Sequence, residues 1–270
     1  MQKIIQTRLT VGLSAPVKLL QITDVHIDEF APEDPDEQKK FVPRRRDVFR
    51  KEGNFPPLSP NQYLEEAFCI AEREGALPIL TGDVIDLNMI GNWNEFDRIT
   101  AGRDFMYCPG GHEFQRRFFR YAAEPEPYYE TVRKELPAAH PHLTFGVDQR
   151  EVNGINLLAV DNSPDFFPEF VAEEIAKQVA RGLPTVLFMH DPLHGSAITR
   201  AKELPFCPPR TEEQERINRD TVELLSTAPN VVGVFSGHNH CEGELLLPNG
   251  ATSYITPGLY AGICRMIEIV

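Results

Sequence analysis

An α/β fold built on a mainly parallel sheet is predicted by two observations. Strand-like and helix-like segments alternate along the chain, and several short apolar runs end in a polar residue, where sheets of this class carry their chemistry. The first such run, Val17-Lys18-Leu19-Leu20-Gln21-Ile22-Thr23, stops at Asp24-Val25-His26. Ahead of it, Ile4 to Leu13 reads as a further strand or hairpin arm joined through Ser14-Ala15-Pro16. Asp28 to Pro60 is rich in proline and charge and reads as a long loop with at most brief helices. Its Arg44-Arg45-Arg46 run reads as solvated surface, the alternative being an arginine that folds over the mouth of a site to meet a phosphate.

Asn61 to Glu74 has helical spacing, with Tyr63, Leu64, Ala67, Phe68 and Ala71 on one face and Gly75 as the stop. Leu77-Pro78-Ile79-Leu80-Thr81 follows as a strand and opens into Gly82-Asp83-Val84-Ile85-Asp86, completing a strand, helix, strand crossover. Phe105 to Cys108 is the next short strand and ends at Pro109-Gly110-Gly111-His112-Glu113. Phe114 to Ala123 and Pro127 to Glu135 are short helical segments, and their aromatic residues Phe114, Phe118, Phe119, Tyr121, Tyr128 and Tyr129 suit packing or a substrate wall. Ile155 to Val160 runs into Asp161-Asn162-Ser163, and a helix is predicted from Asp165 to Arg181. Thr185 to Met189 delivers His190, a helix spans Thr211 to Ser226, and Val231 to Ser236 delivers Gly237-His238-Asn239-His240. Ser253 to Thr256 and Arg265 to Val270 read as antiparallel strands.

The chain has 270 residues, enough for one sizeable core, and no linker separates two. The expected organisation is a single domain over 1–270, with a loop insertion at about 28–60 and a helical cap-like segment at about 113–142. A formal net charge of -13 disfavours nucleic acid and anionic membrane as partners. No apolar run is long enough to span a bilayer, so a cytoplasmic enzyme is the expectation. The five cysteines are widely spaced without a Cys-x-x-Cys pair; Cys241, next to His240, reads as a small buried hydrophobe beside the site. No coiled-coil repeat is present, and oligomeric state is left open.

Asp24 and His26 are two apart, which in extended backbone puts both side chains on one side. Asp83 has two oxygens and can bridge a pair of ions, while His190, His238 and His240 add imidazole nitrogens. Oxygen and imidazole donors without thiolate suit Mn²⁺, Fe²⁺ or Zn²⁺. Two such ions can bind a phosphate and lower the pKa of a water between them, which is hydrolysis of a phosphate ester without a covalent intermediate. His112 is the candidate for protonating the departing oxygen, with Glu113 holding its imidazole or capping the following helix. Asp86 is a candidate to orient a histidine, or a plain helix N-terminal carboxylate.

These pieces resemble the calcineurin-like metallophosphoesterases, of purple-acid-phosphatase type. The family order is Asp-x-His, Gly-Asp, Gly-Asn-His followed by Asp or Glu, an isolated His, and Gly-His-x-His. Here it appears as Asp24-Val25-His26, Gly82-Asp83, Gly110-Gly111-His112-Glu113, His190 and Gly237-His238-Asn239-His240. The resemblance implies a four-layer αββα sandwich of two mixed sheets flanked by helices. It also implies two divalent ions, one on Asp24, His26, Asp83 and His240 and the other on Asp83, His190 and His238, with Asp83 and His112 as the catalytic residues. Ser253 to Gly258 resembles the family's final turn beside the site.

One position departs from the pattern. Gly111 stands where the family's asparagine completes the second ion's shell and helps hold phosphate, whether as a natural variant or as an introduced change. Asn92, Asn94 and Asn162 are conceivable replacements. The expected substrate is a small phosphomonoester or phosphodiester, and Trp93 at the pocket rim would favour a nucleotide-like group. His194 is a candidate to touch substrate, whereas His140 and His142 read as structural. The alternative function is a binding or scaffold protein whose dinuclear centre Gly111 has impaired.

Overall fold

The computed structural model describes residues 2–52, 58–116, 127–163, 166–193 and 211–270. In chain order its strands are β1 (Lys3–Leu9), β2 (Val17–Ile22), β3 (Leu77–Thr81), β4 (Met106–Cys108), β5 (Val147–Val152), β6 (Ile155–Val160), β7 (Thr185–Phe188), β8 (Val231–Ser236), β9 (Gly243–Leu246), β10 (Thr252–Ile255) and β11 (Ile263–Ile269). The helices are α1 (Asp36–Lys39), α2 (Val42–Glu52), α3 (Pro60–Glu74), α4 (Ile90–Thr100), α5 (Pro127–Ala139), α6 (Glu169–Val179) and α7 (Glu212–Thr227). One mixed sheet has the order β1-β11-β2-β3-β4 and the other β5-β6-β7-β8-β10-β9.

Side-chain alternation along the strands separates three apolar layers. In β2, Leu20 and Ile22 pack towards α3 and α4, where they meet Leu64, Phe68, Trp93 and Phe96. Val17 and Leu19 face the other way and share a layer with Leu157, Val186 and Phe235 of the second sheet. The outer face of that sheet is covered by Val171 and Ile175 of α6 and Leu225 of α7. Helix, sheet, sheet, helix is thus the order of layers, the sandwich expected from the sequence.

Helix α3 forms where its apolar spacing predicts. Ser59 and Gln62 make a reciprocal capping box, Pro60 opens the first turn, and Gly75 closes the helix at φ 62°. Helix α7 starts on the same device, with Thr211 and Gln214. Three expectations are corrected. β1 is no hairpin arm of β2; it pairs in parallel with β11, which lies between them and is antiparallel to β2. β10 and β11 belong to different sheets, β10 running parallel to β8 and antiparallel to β9. The Asp28 to Pro60 segment is no simple loop, since it holds the 11-residue α2. That helix buries only Val42 and Phe49 among polar neighbours, too little to give an apolar stripe.

Between the sheets, just below the strand ends, one fully buried amide is fully engaged. Gln21 Nε2 donates to Thr81 Oγ1 and to the Ser236 carbonyl, both at 3.1 Å, and Oε1 accepts from Thr256 Oγ1 at 2.6 Å. Arg265 Nε donates to the same threonine oxygen at 2.8 Å, extending the network across the layer. A Gln21→Leu variant leaves these polar partners in an apolar layer and is expected to lose about 1–3 kcal/mol of stability. An unchanged urea midpoint and slope would contradict this.

Candidate metal centre

The loops after β2 and β3 are laced together beyond the strands themselves. Asp24 N donates to the Gly82 carbonyl and His26 N to that of Asp83, both at 3.0 Å. The side chains then turn inward on unusual backbone. Asp24, His26, Asp83, His238 and His240 all have left-handed conformations, with φ between 49° and 66°. Such a conformation costs a non-glycine residue roughly 1–2 kcal/mol. Among the other described non-glycine residues only Asn153, in a turn, shares it. Strain gathered on these residues marks the place where the fold sets side-chain direction above backbone comfort. Asp24 and His26 therefore converge by turning, and the extended same-side geometry expected from their spacing is not what unites them.

Gly110 is required by a close approach. A Cβ there would lie 2.3 Å from Asp83 Oδ1, the oxygen to which His112 N donates at 2.9 Å. The 110–112 backbone thus wraps one side of the Asp83 carboxylate, and Oδ2 is left facing imidazoles.

Two groups of donors result, Asp24 with His26 and His240, and Asp83 with His190 and His238, each with one atom per residue within 4.8 Å of the others. In the first, His26 Nε2 is 3.3 Å from His240 Nε2, which is 3.2 Å from Asp24 Oδ1. In the second, His190 Nε2 is 3.1 Å from Asp83 Oδ2 and 3.3 Å from His238 Nδ1. Asp83 Oδ2 also lies 4.0 Å from His26 Nε2, so this carboxylate sits between the groups. Two imidazole nitrogens this close share a proton or turn their lone pairs to a common cation. Asp24 Oδ1 is buried and makes no hydrogen bond, while Oδ2 accepts from Thr23 Oγ1 and His238 N. An unpartnered buried carboxylate oxygen among imidazoles, with no thiolate nearby, fits a divalent cation with mixed oxygen and nitrogen donors.

Electrostatics agree with that fit. Burial opposes the Asp24 charge, but the His240 and His190 imidazoles outweigh it and hold the carboxyl below its ordinary range. Asp83 is likewise held low against burial, chiefly by His190 and His112. Burial pulls His26 down to about 4, leaving it neutral at pH 7. His190 is the reverse case: burial opposes its charge, and Asp83 with Asp24 and Asp191 lifts it well above the usual range. A cation bound there releases that proton.

His190 Nδ1 lies 2.9 Å from the Thr81 carbonyl, which can only accept, so the proton is on Nδ1 and Nε2 faces Asp83. The same logic fixes His112. Its Nδ1 donates to the Asp86 carbonyl at 2.7 Å, and Nε2 lies 3.9 Å from Asp83 Oδ2. His26, Asp86 and His112 form a third close group. The Asp86 carboxylate, however, is clasped by Arg45, with Nε to Oδ2 at 2.8 Å and Nη2 to Oδ1 at 2.7 Å. Asp86 therefore lies behind the centre, with Oδ1 3.3 Å from His26 Nδ1.

Several expectations change here. Glu113 neither holds the His112 imidazole nor caps a following helix. Its buried carboxylate accepts from the backbone N–H groups of Val84 at 2.6 Å, Gly110 at 2.7 Å and Asp83 at 3.1 Å, pinning the β3 and β4 loops together. Trp93 is not at a rim: it is buried on α4, donates to Asn88 Oδ1 and stacks on His140 at 4.0 Å. His140 and His142 both lie beside Asp97. Arg45 and Arg46 pair with Asp86 and Asp28 and are partly covered, while Arg44 is exposed. Cys241 is exposed, not buried.

The asparagines proposed to replace the missing ligand are engaged or remote. Asn162 Oδ1 accepts from His190 N and Asp191 N while its Nδ2 donates to the Asp191 carbonyl. Asn92 binds the backbone of Glu29 and Leu87, and Asn94 is exposed on α4. His194, Phe118, Phe119 and Tyr121 lie outside the described residues, as do the side chains of Tyr128 and Tyr129. Two neighbours of the centre went unnoticed in the sequence. Asp191 Oδ1 is 3.3 Å from His238 Nδ1, signalled only by its place after His190. Tyr260 Oη is 3.2 Å from His240 Nδ1, in the turn after Pro257-Gly258.

A two-sheet sandwich with paired carboxylate and imidazole groups at its strand ends defines a metal-dependent hydrolase class, and comparison with known proteins gives the family. Residues 17–242 match the calcineurin-like phosphoesterase family, to which this chain belongs; it is a metal-dependent phosphoesterase. Among solved structures it is similar to a dimetal phosphatase from Danio rerio, at 13% identity and a TM-score of 0.53 over 91% of this chain and 88% of that one. It is also similar to a phosphopantetheinyl hydrolase from Mycobacterium tuberculosis, at 14% identity and a TM-score of 0.43 over 92% of both chains. A 5′-nucleotidase from Candida albicans matches at 11% identity and a TM-score of 0.46, over 96% of this chain and 47% of that one. No curated protein matches. No described helix is long and apolar enough to cross a membrane.

Proposed function

We propose that this chain hydrolyses a small phosphate monoester or diester, with Asp24, His26, Asp83 and His240 holding one divalent cation and Asp83, His190 and His238 a second. The observation that carries the reading is the pair of convergent donor groups with Asp83 between them. When bound, such a pair of ions supplies charge neutralisation at the phosphoryl oxygens and lowers the pKa of water. Mn²⁺, Fe²⁺ and Zn²⁺ suit the donors.

The chain's own contribution is placement. Asp24 and Asp83 bring negative charge that offsets repulsion between two close dications. The Thr81 carbonyl keeps His190 Nε2 aimed inward. Side-chain exposure gives the direction of entry: His238 is 35% exposed, His240 30% and His112 19%, while Asp24, His26, Asp83 and His190 are at 5% or below. The ester therefore enters on the open side that His238, His240 and His112 share, and His112 has its Nδ1 fixed by the Asp86 carbonyl and its Nε2 free to give a proton to the departing oxygen.

The test is a chelator-stripped enzyme resupplied separately with Mn²⁺, Fe²⁺ and Zn²⁺ and offered aryl and alkyl mono- and diesters. Hydrolysis should vanish on stripping and return with one of the ions. His112→Ala should slow the alkyl ester about 10²–10⁴-fold and the aryl ester, whose leaving group needs no proton, much less. No turnover of any ester at saturating metal would instead support the scaffold reading.

A further inference from the structure

Gly111 differs from its neighbour Gly110. Its backbone is ordinary right-handed helical, φ -66° and ψ -33°, and a Cβ there would meet nothing within 4 Å except Gln115 Nε2 at 3.7 Å. The space where a side chain of residue 111 would begin is thus bordered by a carboxamide arriving from four residues further on. Gln115 is 8% exposed, and its Oε1 is buried without a hydrogen-bond partner. A buried amide oxygen left unpaired costs about 1–3 kcal/mol. The backbone holds the residue in place: Gln115 N donates to the His112 carbonyl at 3.1 Å, and its own carbonyl accepts from Asn88 N at 2.7 Å. Oxygen and nitrogen of a glutamine amide exchange by a half-turn of the last torsion, which brings the acceptor to the Gly111 side.

The second donor group has Asp83, His190 and His238, with the Asp191 carboxylate set behind His238 at 3.3 Å, and the first has the Asp24, His26 and His240 cluster with Asp83 as a fourth neighbour. The three asparagines that might complete it are engaged elsewhere or point to solvent. Resting on the two-cation reading above, we infer that the Gln115 carboxamide supplies the missing oxygen donor of the second cation site, a glutamine at 115 doing the work of a side chain absent at 111.

The assignment is tested by metal binding, independently of turnover. Gln115→Met keeps length and volume and removes both polar atoms. Mn²⁺ titration of the stripped protein by calorimetry, with metal analysis and electron paramagnetic resonance for coupling between paired ions, is the readout. Wild type should bind two ions. Gln115→Met should weaken the second about 10–100-fold, with loss of the coupled signal, and leave the first unchanged as an internal control of folding. Gln115→Glu, which keeps an oxygen, should retain both ions, and Gly111→Asn added to Gln115→Met should restore the second. Two ions of unchanged affinity in Gln115→Met overturn the role of Gln115 alone. At most one ion in wild type, unaltered by Gln115→Met, overturns the two-cation reading and this inference with it.

Discussion

Asp83→Asn is expected to lower kcat/KM for an aryl phosphate by about 10³-fold, on the order of 4 kcal/mol of transition-state stabilisation, and to leave one tightly held ion per chain. Asparagine is the informative replacement because residue 83 has φ 50°, which asparagine tolerates and alanine does not. Its amide oxygen can still accept the His112 N–H that meets Oδ1 at 2.9 Å, so the loop geometry survives. What disappears is negative charge and one oxygen at Oδ2, which faces His190 Nε2 at 3.1 Å and stands between the two donor groups. Metal analysis after gel filtration separates this from unfolding. A variant that kept two ions and most of its activity would remove Asp83 from the centre of the mechanism.

The largest stability effect is expected at Glu113. Glu113→Ala leaves three buried backbone N–H groups, of Asp83, Val84 and Gly110, without their acceptor. At about 1–3 kcal/mol for each unsatisfied group, partly relieved by entering water, the loss should be about 3–5 kcal/mol. For a chain of this size that corresponds to a fall in melting temperature of roughly 10 °C. The measurement belongs on chelator-stripped protein, because bound ions would stabilise the fold by mass action. If Glu113 instead served only to orient His112, stability would barely move and the alkyl-to-aryl rate ratio would change.

The sequence made the central strands easy to read. β3, β6 and β8 are short apolar runs that break at a polar residue, and their limits agree with the expected segments Leu77 to Thr81, Ile155 to Val160 and Val231 to Ser236. The residues brought together at the centre were legible for the same reason. What the pattern did not carry is contact between distant backbone and side chain. Glu113 binds N–H groups up to 30 positions away, and a backbone donor leaves no trace in residue identity. Helix α4 buries Trp93 and Phe96 directly after the Asp83 loop, where an aromatic between two asparagines suggested a rim. The pairing of β1 with β11 joins segments from opposite ends of the numbering, which local periodicity has no means to signal.

That last pairing bears on how the centre is assembled. β11 lies between β1 and β2 and is synthesised after the other ten described strands, and the turn that places Tyr260 against His240 precedes it only narrowly. Without β11, β1 has no partner and β2 has one bare edge, and Asp24 and His26 meet His240 only once both segments are folded. The proposed first cation site therefore exists only while two segments 214 positions apart are folded against each other, so local opening of either one dismantles it.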